Sequence, residues 1–212
     1  RDAIVEVAPG VTQMMWTFGG QVPGPVLHGK IGDLFRITLT NKGAMGHSID
    51  FHASKVAWNE EMRTINPGES LVYRFEAKQS GIFMYHCGTA PALHHIGNGM
   101  WGAIIIDPPN LPTVAKEFVL VQSEFYLGPE GKPGDLTKMQ HDAWDIVTFN
   151  GYFNQYASVI AGASDAYGFP FSDLLTQVQV ALNPPGQSNV ATLRITILPD
   201  DAVDAPIINS TS

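Results

Sequence analysis

The stretch "DLFRITLTNKG" (33–43) sets Leu34, Arg36 and Thr38 against Phe35, Ile37 and Leu39. A period of two places like residues on one face of a strand, whereas a helix repeats every three or four residues. "ESLVYRFEAK" (69–78) alternates in the same way behind the turn "NPGE". "IVEVAPG" and "QMMWTFGG" read as opening strands, followed by the turn "VPGP". "GIFMYHC" and "MWGAIIIDPP" are apolar strands on either side of residues 88–100, which read as a loop. No long stretch of helical period interrupts them. With 21 glycines and 15 prolines for turns, the expectation is an all-β chain whose first part, residues 1–109, closes as a Greek-key β-sandwich.

"PPNLP" (108–112) reads as a linker to a second, smaller or incomplete β domain over 113–212. "KEFVLVQSEFYLG" and "DIVTFNGYF" are its expected strands, joined by the polar connection "GPEGKPGDLTKMQHDAW". "TQVQVAL" and "ATLRITIL" read as a hairpin-like pair. A net charge of −8 argues against nucleic acid as a partner, while leaving a basic redox protein possible. No apolar run of about 18 residues is present, so no helical membrane span is expected. Arg1 opens directly into a strand with no signal peptide before it, so the chain reads as a processed or trimmed form.

Cys87 is the only cysteine, so an internal disulfide is excluded, and its neighbours must explain it. If "GHSIDFHA" (46–53) is a strand, His47 shares a face with Ile49 and Phe51, and Asp50 shares the other with His52. His86 and Cys87 are adjacent and point to opposite faces. Packed side by side, the two strands put His47 and Cys87 inside, and Asp50, His52 and His86 outside. His95 and Met100 follow Cys87 by eight and thirteen residues and can close the inner set. Two imidazoles, a thiolate and a weak axial thioether are the donors of a blue-copper electron-transfer site.

An inert core cysteine is the plainer reading of Cys87, but His and Met flank it. Zinc would want a fourth strong ligand, and Met is a poor one. His94 offers the same imidazole as His95, though the spacing to Met100 favours His95. His28 and His141 read as surface histidines in turn or connection segments. Asp50 by itself reads as a solvated strand carboxylate.

The pieces "TFGGQVPGP", "HSIDFHA", "NPGESLVYRFEAKQSGIFMYHC" and "HCGTAPALHHIGNGMWGAIIIDP" resemble, in order, the N-terminal cupredoxin domain of copper-containing nitrite reductases. The resemblance continues through "KEFVLVQSEFYLGPEGKPG" and "DIVTFNG", and so covers residues 1–156. It implies a cupredoxin domain followed by a cupredoxin-like second domain. It also implies type 1 copper on His47, Cys87, His95 and Met100, type 2 copper on His52 and His86, and Asp50 as the active-site proton relay. The implied reaction is one-electron reduction of nitrite to nitric oxide, with nitrite or another small molecule as substrate and a redox protein as electron donor. A homotrimer and a periplasmic or secreted location follow from the resemblance alone.

In that family a neighbouring subunit's second domain supplies the third type 2 histidine. Here residues 157–212 contain no histidine, and His141 is the only one after His95. Two alternatives therefore stand beside the reductase. One is an electron-transfer cupredoxin holding only the type 1 site. The other is a two-domain multicopper oxidase, although the chain has seven histidines and no His-x-His pair.

Overall fold

The computed structural model describes residues 1–57, 61–112, 116–154 and 191–197. Among these the regular elements are mostly strands, with two short helices. Strands β1 (Asp2–Ala8) and β2 (Val11–Trp16) form an antiparallel hairpin turned at Gly10. The alternating stretches become β4 (Leu34–Thr40) and β6 (Ser70–Glu76), paired from Leu34 opposite Glu76 to Thr40 opposite Ser70. As the period of two requires, Phe35, Ile37 and Leu39 turn inward, while Leu34, Arg36 and Thr38 face out.

The sheet that positions the site has the order β3-β8-β7-β5, formed by Leu27–Lys30, Trp101–Asp107, Gly81–His86 and Asp50–Phe51. β8 is buried along almost its whole length, which is why its sequence shows an apolar run instead of alternation. Its two faces serve different cores. Ile104 and Ile106 pack with Phe51, Tyr73, Phe75, Tyr85 and Cys87. Trp101 and Ala103 pack the other way, with Val7, Met15, Val22, Val121 and Phe125. Each such aliphatic or aromatic side chain, fully buried, contributes about 1.5–3 kcal/mol relative to exposure.

The second core is shared with residues beyond Pro112. β9 (Lys116–Phe125) lies between β10 (Ile146–Phe149) and β11 (Ala191–Ile197), both antiparallel to it. "ATLRITI" (191–197) thus pairs with β9, while "TQVQVAL", its expected hairpin partner, lies outside the described residues. Hydrogen bonds from backbone N–H groups also tie this part to the first. Phe153 N–H donates to the Val7 carbonyl at 2.8 Å, and Gly128 N–H donates to Gln13 Oε1 at 3.0 Å.

Residues 88–100, expected as a loop, contain helix α1 (Ala92–Gly97), and the polar connection contains α2 (Leu136–Gln140), capped by Asp135. Both are too short to leave a helical period in the sequence. His28 is exposed, as expected, but not in a turn. It sits within β3 and its Nε2 meets Asp107 Oδ2 at 2.7 Å.

Gly151 follows β10 with φ +83°, and a Cβ there would run into the Val22 carbonyl oxygen. Gly151→Ala is expected to cost about 1–3 kcal/mol, through the left-handed backbone and the backbone clash. A denaturation midpoint unchanged from the unaltered chain would refute this account.

Candidate metal centres

Of residues 46–53, only Asp50–Phe51 forms a strand, but the parity expected of the whole stretch survives. His47, Ile49 and Phe51 are buried, while His52 is half exposed. Ser48 breaks the pattern. It belongs to the outer parity yet is fully buried, because Gly88 and Thr89 fold over it. β5 lies beside β7, with Asp50 directly opposite His86. That register brings the expected residues together.

The inner set sits at the end of the first core. Cys87 N–H donates to the Met100 carbonyl at 3.0 Å, extending the β7–β8 ladder, and Met100 N–H donates to the His95 carbonyl at 3.1 Å. His47 is held by a reciprocal backbone pair with Ile65. Cys87, His47, His95 and Met100 are all buried, at 0%, 3%, 4% and 2% exposure. The Nδ1 atoms of His47 and His95 are 3.2 Å apart, and Cys87 Sγ lies 4.0 and 3.3 Å from them. A point in the plane of these three atoms is about 2.1 Å from each, within the range of metal–nitrogen and metal–sulfur bonds. Without an ion, two imidazole nitrogens and a sulfur crowd one point in the core with few protons to share. A cation there satisfies all three. Met100 is buried in the same core cluster as Cys87.

The thiol is prepared for this role. Burial pushes the Cys87 thiol up, but donors from His47, the Ser48 N–H and Thr89 outweigh it and hold the thiol below its ordinary value. The Ser48 N–H reaches Sγ at 3.3 Å. Burial pushes the His95 imidazole down, which favours the neutral, ligating form. Thr89→Val removes a hydroxyl donor at nearly constant volume. Since donors favour the thiolate, the Cys87 thiol is expected to titrate at higher pH in the metal-free variant. Thiolate absorbance followed through a pH titration measures this, and an unchanged midpoint would contradict it.

The outer set lies on the opposite face, at the β5 edge. His52 Nε2 and His86 Nε2 are 2.9 Å apart, and Asp50 Oδ2 is 4.0 and 3.8 Å from them. His86 Nδ1 donates to the Cys87 carbonyl at 3.0 Å, which turns Nε2 towards His52. Burial lowers the His52 imidazole, the neighbouring His86 lowers it further, and Asp50 opposes them. A point equidistant from the two nitrogens and Oδ2 again lies about 2.1 Å from each, so this set too can hold a transition metal. The same sheet face, further along, carries Met84 and Ala103 into the second core.

His94 and His141 do not join either set. His94 Nε2 bonds the Gly134 carbonyl at 3.0 Å, so His95 alone of the adjacent pair reaches the inner site. His141 caps the end of α2, with Nδ1 on the Thr137 carbonyl at 2.8 Å. Sequence reasoning missed Ser48, Thr89 and Trp16. The Trp16 ring covers the site, with its centroid 4.7 Å from that of His95 and 6.0 Å from that of His47. The only sequence signal for Ser48 and Thr89 was that they neighbour His47 and Cys87.

A family model described as multicopper oxidase matches residues 2–111. The copper-containing nitrite reductase of Neisseria gonorrhoeae is 36% identical over 165 residues, covering 74% of this chain and 42% of that protein. Among solved structures, the copper nitrite reductase from Nitrosomonas europaea matches with a TM-score of 0.63 and 42% identity, over 71% of this chain and 55% of that one. A multicopper oxidase crystal structure matches with a TM-score of 0.60 and 30% identity, over 71% and 52%. The chain thus spans less than half the length of the Neisseria reductases it matches. These neighbours share its all-β, cupredoxin-like fold.

Proposed function

The chain belongs to the multicopper oxidase family, and from that premise we propose that it is a two-copper protein of the nitrite reductase type, reducing nitrite with one electron and two protons to nitric oxide and water. The observation that carries this reading is the pair of donor sets on opposite faces of one sheet, joined by the single peptide bond between His86 and Cys87. His47, Cys87, His95 and Met100 would hold type 1 copper, and His52 and His86 would hold type 2 copper. Copper so bound supplies one-electron redox chemistry inside and a Lewis acid outside.

The residues of the chain do the rest. The buried inner set holds its donors in one geometry and excludes water, which keeps reorganisation small when an electron moves. The His86–Cys87 peptide gives a through-bond path between the sets. At the outer set, Asp50 stands 3.8 Å from His86 and is partly exposed, so it can take a proton from solvent and pass it to a bound oxygen. A homotrimer, an extracytoplasmic location and a redox-protein donor are parts of the same proposal and rest on the resemblance to nitrite reductases. No helix among the described residues is long and apolar enough to cross a membrane.

A specific observation keeps the electron-transfer reading in play. Among the described residues the outer set has two histidines and one carboxylate, with no third imidazole. Oxygen reduction at a three-copper centre is less well supported, since this chain has no His-x-His pair. Copper counting with electron paramagnetic resonance separates the readings. Two coppers per chain and a type 2 signal that changes on adding nitrite support the reductase. One copper, no such signal and no nitrite turnover would reduce the protein to an electron carrier.

A further inference from the structure

We infer that His94 and Asn98 are positioning residues for the inner donor set, gripping Gly134 from both sides and so fixing the helix that carries His95 and leads to Met100. The functional half of this inference rests on the type 1 copper reading above; the structural half does not.

α1 cannot hold its own shape. It has six residues, its N-cap Pro91 makes no side-chain capping bond, and its first turn has no acidic residue. Isolated helices of this length are unstable in water, so tertiary contacts must define it. Those contacts converge on Asn98 and His94. The Trp16 N–H donates to the Asn98 carbonyl at 3.0 Å. The Gly134 N–H donates to Asn98 Oδ1 at 2.6 Å, and the Gly134 carbonyl accepts from His94 Nε2 at 3.0 Å. Both polar groups of one glycine, from the far side of the linker, are thus bonded to the ligand helix.

Three details mark the grip as specific. Asn98 is fully buried, and its Nδ2 finds no partner among the described residues, a costly arrangement to keep unless Oδ1 has a task. A Cβ at Gly134 would meet the Tyr126 carbonyl oxygen at 2.8 Å and Asn98 Oδ1 at 3.2 Å, so a larger residue could not approach as closely. The His94 ring stands edge-on to Trp16, with centroids 4.8 Å apart, so it is held in place before it donates. A shift of α1 would move His95 Nδ1 from its place 3.3 Å from Cys87 Sγ.

Amide hydrogen exchange on the metal-free full chain tests the grip, and the visible band and reduction potential of the copper-loaded chain test its purpose. His94→Phe keeps a ring against Trp16 but removes the donor, whereas His94→Gln keeps an amide donor. The amides of Asn98, Gly99 and Met100, which bond within the loop, report on it. In His94→Phe they are expected to exchange at least about tenfold faster, as local opening becomes easier, with a shifted band and potential. His94→Gln should stay close to the unaltered chain in all three. Equal behaviour of Phe and Gln would overturn the inference, since filling space would then suffice. Unchanged exchange in His94→Phe would overturn it as well. A loaded but colourless unaltered chain would sink the copper reading, while exchange still decides the grip.

Discussion

Cys87→Ser is expected to remove the intense visible absorption proposed for the copper-loaded protein and to lower its copper content by the inner equivalent, leaving the outer one in place. The absorption of such a centre belongs to the bond between thiolate and metal, and a serine hydroxyl stays protonated and is a hard, weak donor. The surrounding donors cannot compensate, because the His47, Ser48 and Thr89 interactions that lower the thiol were set for sulfur. The fold should tolerate the change. Cys87 is fully buried, and the Ser48 N–H remains beside it to bond a hydroxyl, so the metal-free variant should lose no more than about 1–3 kcal/mol. Absorbance, copper analysis and a denaturation curve read the three effects separately. A visible band persisting in Cys87→Ser would mean that the inner set is not the blue centre.

His52→Ala should have the opposite signature. Its Nε2 is one of two imidazole donors 2.9 Å apart, so its loss should weaken outer metal binding by at least about 100-fold and abolish nitrite turnover with it. The visible band should stay, because His52 lies on the other side of the sheet from Cys87. Stability should also stay within about 0.5 kcal/mol, since the His52 side chain is half exposed and lies outside both cores. If the colour disappears with His52, the assignment of the two sets to opposite faces fails. If turnover survives without the outer copper, the site of nitrite reduction lies elsewhere.

The outcome for individual residues shows what could be read in advance. The inner and outer groupings followed from strand parity, because adjacent residues in a strand must point apart, and His86–Cys87 obeys that rule. The choice of His95 over His94 was favoured by spacing but decided by Gly134, a residue about 40 positions away whose carbonyl takes the His94 ring. Ser48 broke parity because Gly88 and Thr89 cover it, a contact no local pattern encodes. Helix α1 was read as a loop because six residues hold too little periodic signal. His28 is at the surface as expected, but the segment read as a turn is β3, which runs parallel to the distant β8. A parallel partner leaves no hairpin turn to find.

By itself the sequence determined an all-β chain and the kinds of donor it carries, because a period of two and the chemistry of Cys, His and Met are local properties. It also determined that His86 and Cys87 serve opposite faces. The tertiary structure alone decided that Asp50 lies opposite His86, that three candidate donor atoms in each set surround one point at bonding distance, and that Gly134 bonds both His94 and Asn98. Those are distances between residues far apart in the chain, fixed by the register of the strands and by how two cores share β8.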